Sequence, residues 1–394
     1  DEQHVFSDLE AVSARSVEIR HELHRHPELG YEEVFTSGVV CRELRSLGIE
    51  PTSGLAGGTG VMALIQGATE GPCVALRADM DALPITEETG APYASARPGL
   101  MHACGHDGHA AILLGAAAIL KTHANRLQGY VKLLFQPAEE GGCGADRMCT
   151  DGVLERHRVY AIFDLHGWSG LDVGMVATPA GTLLASVDGF KIAIVGRGGH
   201  AASPQECADP IVCAAACIQS LQSIVSREVD PNDAAVVSVS QIQGGSAFNV
   251  IPDRVELVGT IRALSKPRHE ALLASIERIC RGIAAAHRCE VSFAYFGTTP
   301  ATANTPDLAE FVRETALAAL GERGFTWAPK PALWGEDFAF YLQHVPGCFY
   351  VLGVQPRDRD TYPMLHNPAY DFTDAAIPIG IRMMVELALR YAKR

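Results

Sequence analysis

"GLMHACGHDGHAAILLGAAAILKTHANRLQGYVKLLFQPAEEGG" occupies residues 99–142. A loop carrying His102, Cys104, His106, Asp107 and His109 opens an alanine-rich apolar helix, and a short apolar run then ends in Glu139 and Glu140. Short apolar runs read as strands buried on both faces, and their alternation with helices points to a largely parallel α/β sheet. "GVMALIQG" (60–67), "CVALRAD" (73–79) and "YAIFDLH" (160–166) repeat the strand pattern. Helices are expected over 8–25, closed before Pro27, and over 32–47, ended at Gly48. Beyond residue 297 the same character returns, with helices over 306–320, 337–343 and 374–392 around the strand "CFYVLGV" (348–354).

The middle of the chain differs. From residue 189 the order is strand, helix, strand, strand, helix, strand, the β-α-β-β-α-β series of a ferredoxin-like sheet with both helices on one face. Alternation in "RVELVGTIR" (254–262) fits a sheet with one exposed face. The expected organisation is therefore a larger α/β domain formed by 1–185 and 297–394, interrupted by a smaller α+β domain over 186–296.

Composition narrows the function. The 394 residues, 47% apolar, are enough for two cores. A net charge of -14 without long charged runs argues against nucleic acid or an anionic membrane as partner. No apolar stretch approaches a membrane span of about 20 residues. Eleven cysteines without CxxC pairs read as free thiols of a reducing, cytoplasmic compartment. The chain starts at Asp1 rather than at methionine, which fits a trimmed start and leaves room for a lost targeting segment.

Ligands of open α/β sheets bind at the carboxyl ends of the strands. That rule collects Asp79 and Asp81, Glu139 and Glu140, and His166 on one rim, beside the loop that starts the central helix. Thiolate, imidazole and carboxylate together suit zinc or a similar divalent ion. Adjacent glutamates suggest divided labour, one binding metal and one accepting a proton from water. Other patterns fail. "HELHRH" (21–26) has Arg25 where HExxH needs histidine, and reads as a surface helix end. "GLAGGTG" (54–60) lacks dinucleotide spacing, and "GWSGL" (167–171) is no nucleophile elbow.

"HACGHDGHAA", "QPAEEGG", "GRGGHAASP", "GGSAFNVIPD", "GEDFAFY", "HNPAYDF" and the early "RHELHRHPELGYEE" together resemble the dinuclear-metal amidohydrolases that include aminoacylases, hippurate hydrolases and indoleacetyl-amino-acid hydrolases. The resemblance runs from about residue 12 to the C-terminus. It implies Cys104, His106, Glu140, His166 and His366 as ligands of two divalent ions, Mn2+ or Zn2+, with Cys104 bridging. Glu139 would be the general base, and Asp79 would orient a ligand. His200 would reach the active site of a partner subunit in a homodimer and steady the oxyanion, and Asn249 and Arg262 would hold the substrate carboxylate. The inserted domain would act as lid and dimerisation domain. The implied reaction is hydrolysis of N-acyl-L-amino acids, hippurate-like or indoleacetyl-like. A metallo-dipeptidase or aminopeptidase and a non-enzymatic metal-binding protein stand as alternatives.

Two positions depart from relatives. Arg77 stands where peptidase cousins carry a metal-binding histidine, a change shared by the amidohydrolase branch. Gln205 follows the proline where close relatives often have histidine. Taken alone, several candidates also have ordinary readings. His102 and His109 would cap or support the helix, and Asp107 would face its dipole. Arg262 would be a solvated edge charge, Asn249 an Asx turn, and Glu336 and Asp337 a helix-start charge pair. Cys213 and Cys217 read as core.

Overall fold

The computed structural model describes residues 5–328 and 330–394. It divides into two compact units, Asp1–Leu183 with Ala303–Lys330 and Asp337–Arg394, and Leu184–Thr302 with Pro331–Glu336.

The larger unit is built on an eight-stranded sheet of β1 (Thr52–Leu55), β2 (Gly60–Gln66), β3 (Thr69–Asp79), β4 (Gln128–Gln136), β5 (Val159–Asp172), β6 (Val176–Thr178), β11 (Phe325–Trp327) and β12 (Gly347–Gln355). Their order is β1-β2-β4-β3-β5-β12-β6-β11. The central strands β4, β3, β5 and β12 run parallel, and β1, β2 and the β12–β6 pair bring antiparallel edges. The parallel strands are the apolar runs read from sequence. Cys73–Asp79 of β3 is buried throughout, as expected of a strand covered on both faces.

Its helices are α1 (Leu9–Arg25), α2 (Val34–Ser46), α3 (His106–Thr122), the short α4 (Gly144–Thr150), α7 (Pro306–Leu320) and α8 (Ile377–Tyr391). The core holds α3, with apolar side chains buried on every face. Close approach to its neighbours needs a glycine, since a Cβ at Gly115 would stand 2.5 Å from Ile381 and 2.6 Å from Ser16. The helix expected over 337–343 shrinks to Ala339–Leu342. Asp337 is drawn away from the helix start, accepting from Arg77, Gln136 and the Ala145 amide instead.

The smaller unit runs β7 (Ser186–Val195), α5 (Pro210–Ser223), β8 (Ala235–Gly244), β9 (Arg254–Ala263), α6 (Lys266–Ala286), β10 (Glu290–Thr299). The sheet is antiparallel in the order β8-β9-β7-β10, the ferredoxin-like arrangement. Asp209 caps α5, accepting from Ile211 N at 2.8 Å, and Ser265 caps α6 through Arg268 N. Phe190, Ile192, Cys213, Cys217, Leu272 and Cys280 share one core, so the paired cysteines of α5 are packing residues. All eleven cysteines are free thiols. Among the described residues no helix is long and apolar enough to cross a membrane.

Candidate metal centre

Five chain segments meet at the carboxyl ends of the parallel strands of the larger unit. β3 delivers Asp79 and, just beyond it, Asp81; β4 leads into Glu139 and Glu140; and β5 carries His166. The start of α3 brings Cys104 and His106, and the segment after β12 brings His366. The turn into α3 requires Gly105. Its φ is +84°, and a Cβ there would sit 2.9 Å from both Phe372 and the Tyr370 hydroxyl. Non-glycine residues also take positive φ around the centre, Ala138 at 54° and His366 at 66°. Such conformations persist where the surroundings hold them in place.

The ring nitrogens sort the histidines by role. His166 places Nδ1 2.8 Å from the Gly167 carbonyl, which aims Nε2 at Cys104 Sγ, 3.4 Å away. His106 places Nδ1 3.2 Å from Asp81 and leaves a buried Nε2 with no hydrogen bond among the described residues. That Nε2 lies 3.5 Å from Asp79, 4.0 Å from Glu139 and 4.0 Å from Glu140. His366 Nε2 is 3.2 Å from Glu140 Oε1. His109 is different. Its Nε2 accepts the Gly167 amide at 2.8 Å, and its Nδ1 donates to Asp79 at 2.7 Å, so both nitrogens are occupied. His102 is buried, and neither of its ring nitrogens is hydrogen-bonded among the described residues.

Burial and neighbouring charges shift the ionisable groups of the centre in both directions. Burial, reinforced by Glu140 and Glu139, pushes the Cys104 thiol well up, and burial with His109 pushes His166 well down. Burial lowers His106, but Asp79 and Asp81 outweigh it and raise the ring to about 10. Burial also opposes ionisation of Asp79, yet His106, His109 and Arg77 hold it well below the usual carboxylate range. An acidic surplus around an unpartnered imidazole nitrogen and a buried thiol is what a divalent cation would neutralise. Ligand atoms of Cys104, His106 and Glu140 lie within 4.8 Å of one another, so the donor set fits a metal.

Arg77 is a partner of Asp79 in the core of the larger unit. The guanidinium is fully buried, with Nη1 3.1 Å from Asp79 and 2.6 Å from Asp164, and Nη2 2.9 Å from Asp337. A fixed cation there supplies countercharge to Asp79, Asp164 and Asp337.

The remaining candidates lie in the smaller unit. His200 pairs with Val250 in a two-residue ribbon, and Asn249 accepts the Ala201 amide through its backbone carbonyl. Both side chains are exposed, and the Asn249 amide forms no Asx turn among the described residues. Arg262 is half-buried on β9. Its Nε donates to the Leu333 carbonyl at 3.2 Å, and Nη1 donates to the Thr260 hydroxyl and the Ile261 carbonyl. Gln205 is exposed in the turn Pro204–Glu206.

Sequence reasoning did not assign Asp81, which orients His106 and accepts the Glu140 amide at 2.9 Å. "HELHRH" reads as a surface helix end, whereas its His24 is fully buried, as is Arg20 just before the motif. They turn inward because Asp107 needs partners: Arg20 Nη1 lies 3.1 Å and His24 Nδ1 2.9 Å from its Oδ2.

A mostly parallel α/β sheet whose strand ends gather thiol, imidazole and carboxylate donors defines a metal-binding amidohydrolase. The chain belongs to Peptidase family M20/M25/M40, whose model matches residues 75–390. It is 42% identical over 381 residues to an IAA-amino acid hydrolase (ILR1-like 2) of Arabidopsis thaliana, covering 96% of this chain and 85% of that one. It is 41% identical to the N-acetyl-L-cysteine deacetylase of Bacillus subtilis, covering 97% and 89%. A crystal structure of a dinuclear metal-binding peptidase of the M20 family from Bacillus subtilis superposes with a TM-score of 0.86 at 36% identity, covering 98% of this chain and 99% of that one.

Proposed function

We propose that this enzyme hydrolyses the amide of N-acyl-L-amino acids, releasing a carboxylic acid and a free amino acid. The observation that carries the proposal is Glu139, whose carboxylate stands 4.0 Å from His106 Nε2 beside the Cys104–His106–Glu140 donor set. A metal-binding protein without chemistry would have no use for a base in that place.

Cys104, His106, Glu140, His166 and His366 would hold two divalent ions, Mn2+ or Zn2+, with Cys104 shared between them. When bound, the ions supply Lewis-acid activation of water and of the acyl carbonyl. Glu139 takes the proton of the attacking water and returns it to the departing amine. Asp81 and Gly167 fix the rings of His106 and His166, and Asp79 fixes His109. His200 Nδ1 accepts the Ala202 amide at 3.0 Å, which leaves an Nε2–H to donate to a developing oxyanion. Arg262, its Nε and Nη1 fixed by neutral oxygens, and Asn249 would hold the substrate carboxylate. The names of the relatives support aromatic indoleacetyl and small acetyl groups as acyl moieties. Free cysteines support a cytoplasmic setting, and the family resemblance supports a homodimer with His200 serving the partner subunit's site.

The test is amine release from N-acyl amino acids and dipeptides by metal-loaded enzyme, with and without chelator. Chelator-sensitive release from acylated substrates is expected. Release from dipeptides alone would move the enzyme to the peptidase side of the family.

A further inference from the structure

The "RHELHRH" motif has a use that the reaction itself does not absorb. Arg20 and His24 lie one turn apart on the buried side of α1. The Arg20 guanidinium meets three carboxylates from two distant segments. Nη1 is 3.1 Å from Asp107 Oδ2, Nη1 and Nη2 are 3.0 and 3.1 Å from Asp371 Oδ1, and Nε is 2.7 Å from Asp374 Oδ1. The ring of Tyr93 lies 4.8 Å from its central carbon, and the Tyr93 hydroxyl donates to Asp371 Oδ2 at 2.5 Å.

These segments are the ones that converge on the donor set. Asp107 follows His106 at the start of α3, and Asp371 and Asp374 follow His366. Between residues 356 and 373 the chain has neither helix nor strand, so its conformation has to be imposed from outside. The His366 amide donates to the Ala103 carbonyl at 2.8 Å, and His366 holds a φ of +66°. As a stability device a buried arginine among carboxylates is poor, because an apolar core serves as well. What a rigid, forked guanidinium supplies is geometry.

We propose that Arg20 is a positioning residue for the metal centre, clamping the His366-bearing segment to the mouth of α3 through Asp107, Asp371 and Asp374. The inference rests on His366 being a ligand. Binding of Mn2+ and of Zn2+ to metal-stripped full-length protein, measured by titration calorimetry with circular dichroism as a folding control, tests it. Arg20→Lys keeps the charge and loses the fork. Asp374→Asn, at a partly exposed carboxylate, is the gentler variant should the first not fold.

Each variant should bind about 10–100-fold more weakly than wild type. In a His366→Ala background the loss should vanish, since the clamp acts through that residue. Full affinity in a folded variant, or a loss that persists without His366, overturns the inference. Unchanged affinity in His366→Ala alone removes the ligand reading of His366, and the clamp with it.

Discussion

Glu139 and Glu140 are neighbours in the chain, and the proposed mechanism gives them different roles, base and ligand. Both carboxylates stand 4.0 Å from His106 Nε2, and Glu140 in addition has its amide 2.9 Å from Asp81 and its Oε1 3.2 Å from His366. Glu139→Gln should therefore cut kcat by about 10²–10⁴-fold, the usual contribution of a general base, with metal content retained. Cys104→Ala should do the reverse, losing metal first and activity in consequence. Elemental analysis beside kinetics separates the two, and an active, fully metallated Cys104→Ala would refute its role as bridge. At this scale, residues lying directly on strand ends or the helix mouth were legible in the sequence, because the topology alone brings them to one rim. Arg20 and His24 were not. Polar side chains four apart on a helix normally face water, and the partners of Arg20 lie 87 and 351 residues further along, those of His24 63 and 83.

Elements were read more surely than their ends. Buried strands announce themselves by unbroken apolar runs, and the β-α-β-β-α-β series of the smaller unit is local enough to read directly. The helix near 337–343 begins only at Ala339 because Asp337 satisfies distant donors, which no periodicity encodes. Within the smaller unit, α6 is fastened to β7 by His269 Nε2, 2.7 Å from Asp188 Oδ2, with Asp188 1% exposed. Asp188 raises the pKa of His269 above its ordinary value, against the lowering effect of burial. A raised histidine stabilises fully below about pH 6.5, and that contribution fades as pH climbs through the folded value. His269→Gln should thus lower the unfolding midpoint of this unit most below pH 6 and least near pH 9. His269 is half-buried beside the buried Asp188, so the acid-side deficit should fall below the about 3–5 kcal/mol of a fully buried pair. A deficit that does not change with pH would show that the ring only fills space.

For the molecule as a whole, the two units have separate cores, and every proposed metal ligand belongs to the larger one. A metal held more tightly by the folded donor set than by the unfolded chain should stabilise the larger unit selectively. Free metal at 100 times its dissociation constant adds about 2.7 kcal/mol, and at roughly 2–4 °C per kcal/mol the midpoint should rise by about 5–10 °C. Calorimetry of the intact protein should therefore show one transition that falls on chelation and recovers on adding Mn2+ or Zn2+, and another that stays in place. His269→Gln identifies the second, since that substitution lies in the smaller unit and should move the transition chelation leaves alone. An equal shift of both transitions on chelation, or of neither, would contradict a metal centre confined to the strand ends of the larger unit. Cys104→Ala should fix the first transition at its chelated position whatever metal is added, which links the stability of the fold to the donor that the chemistry needs.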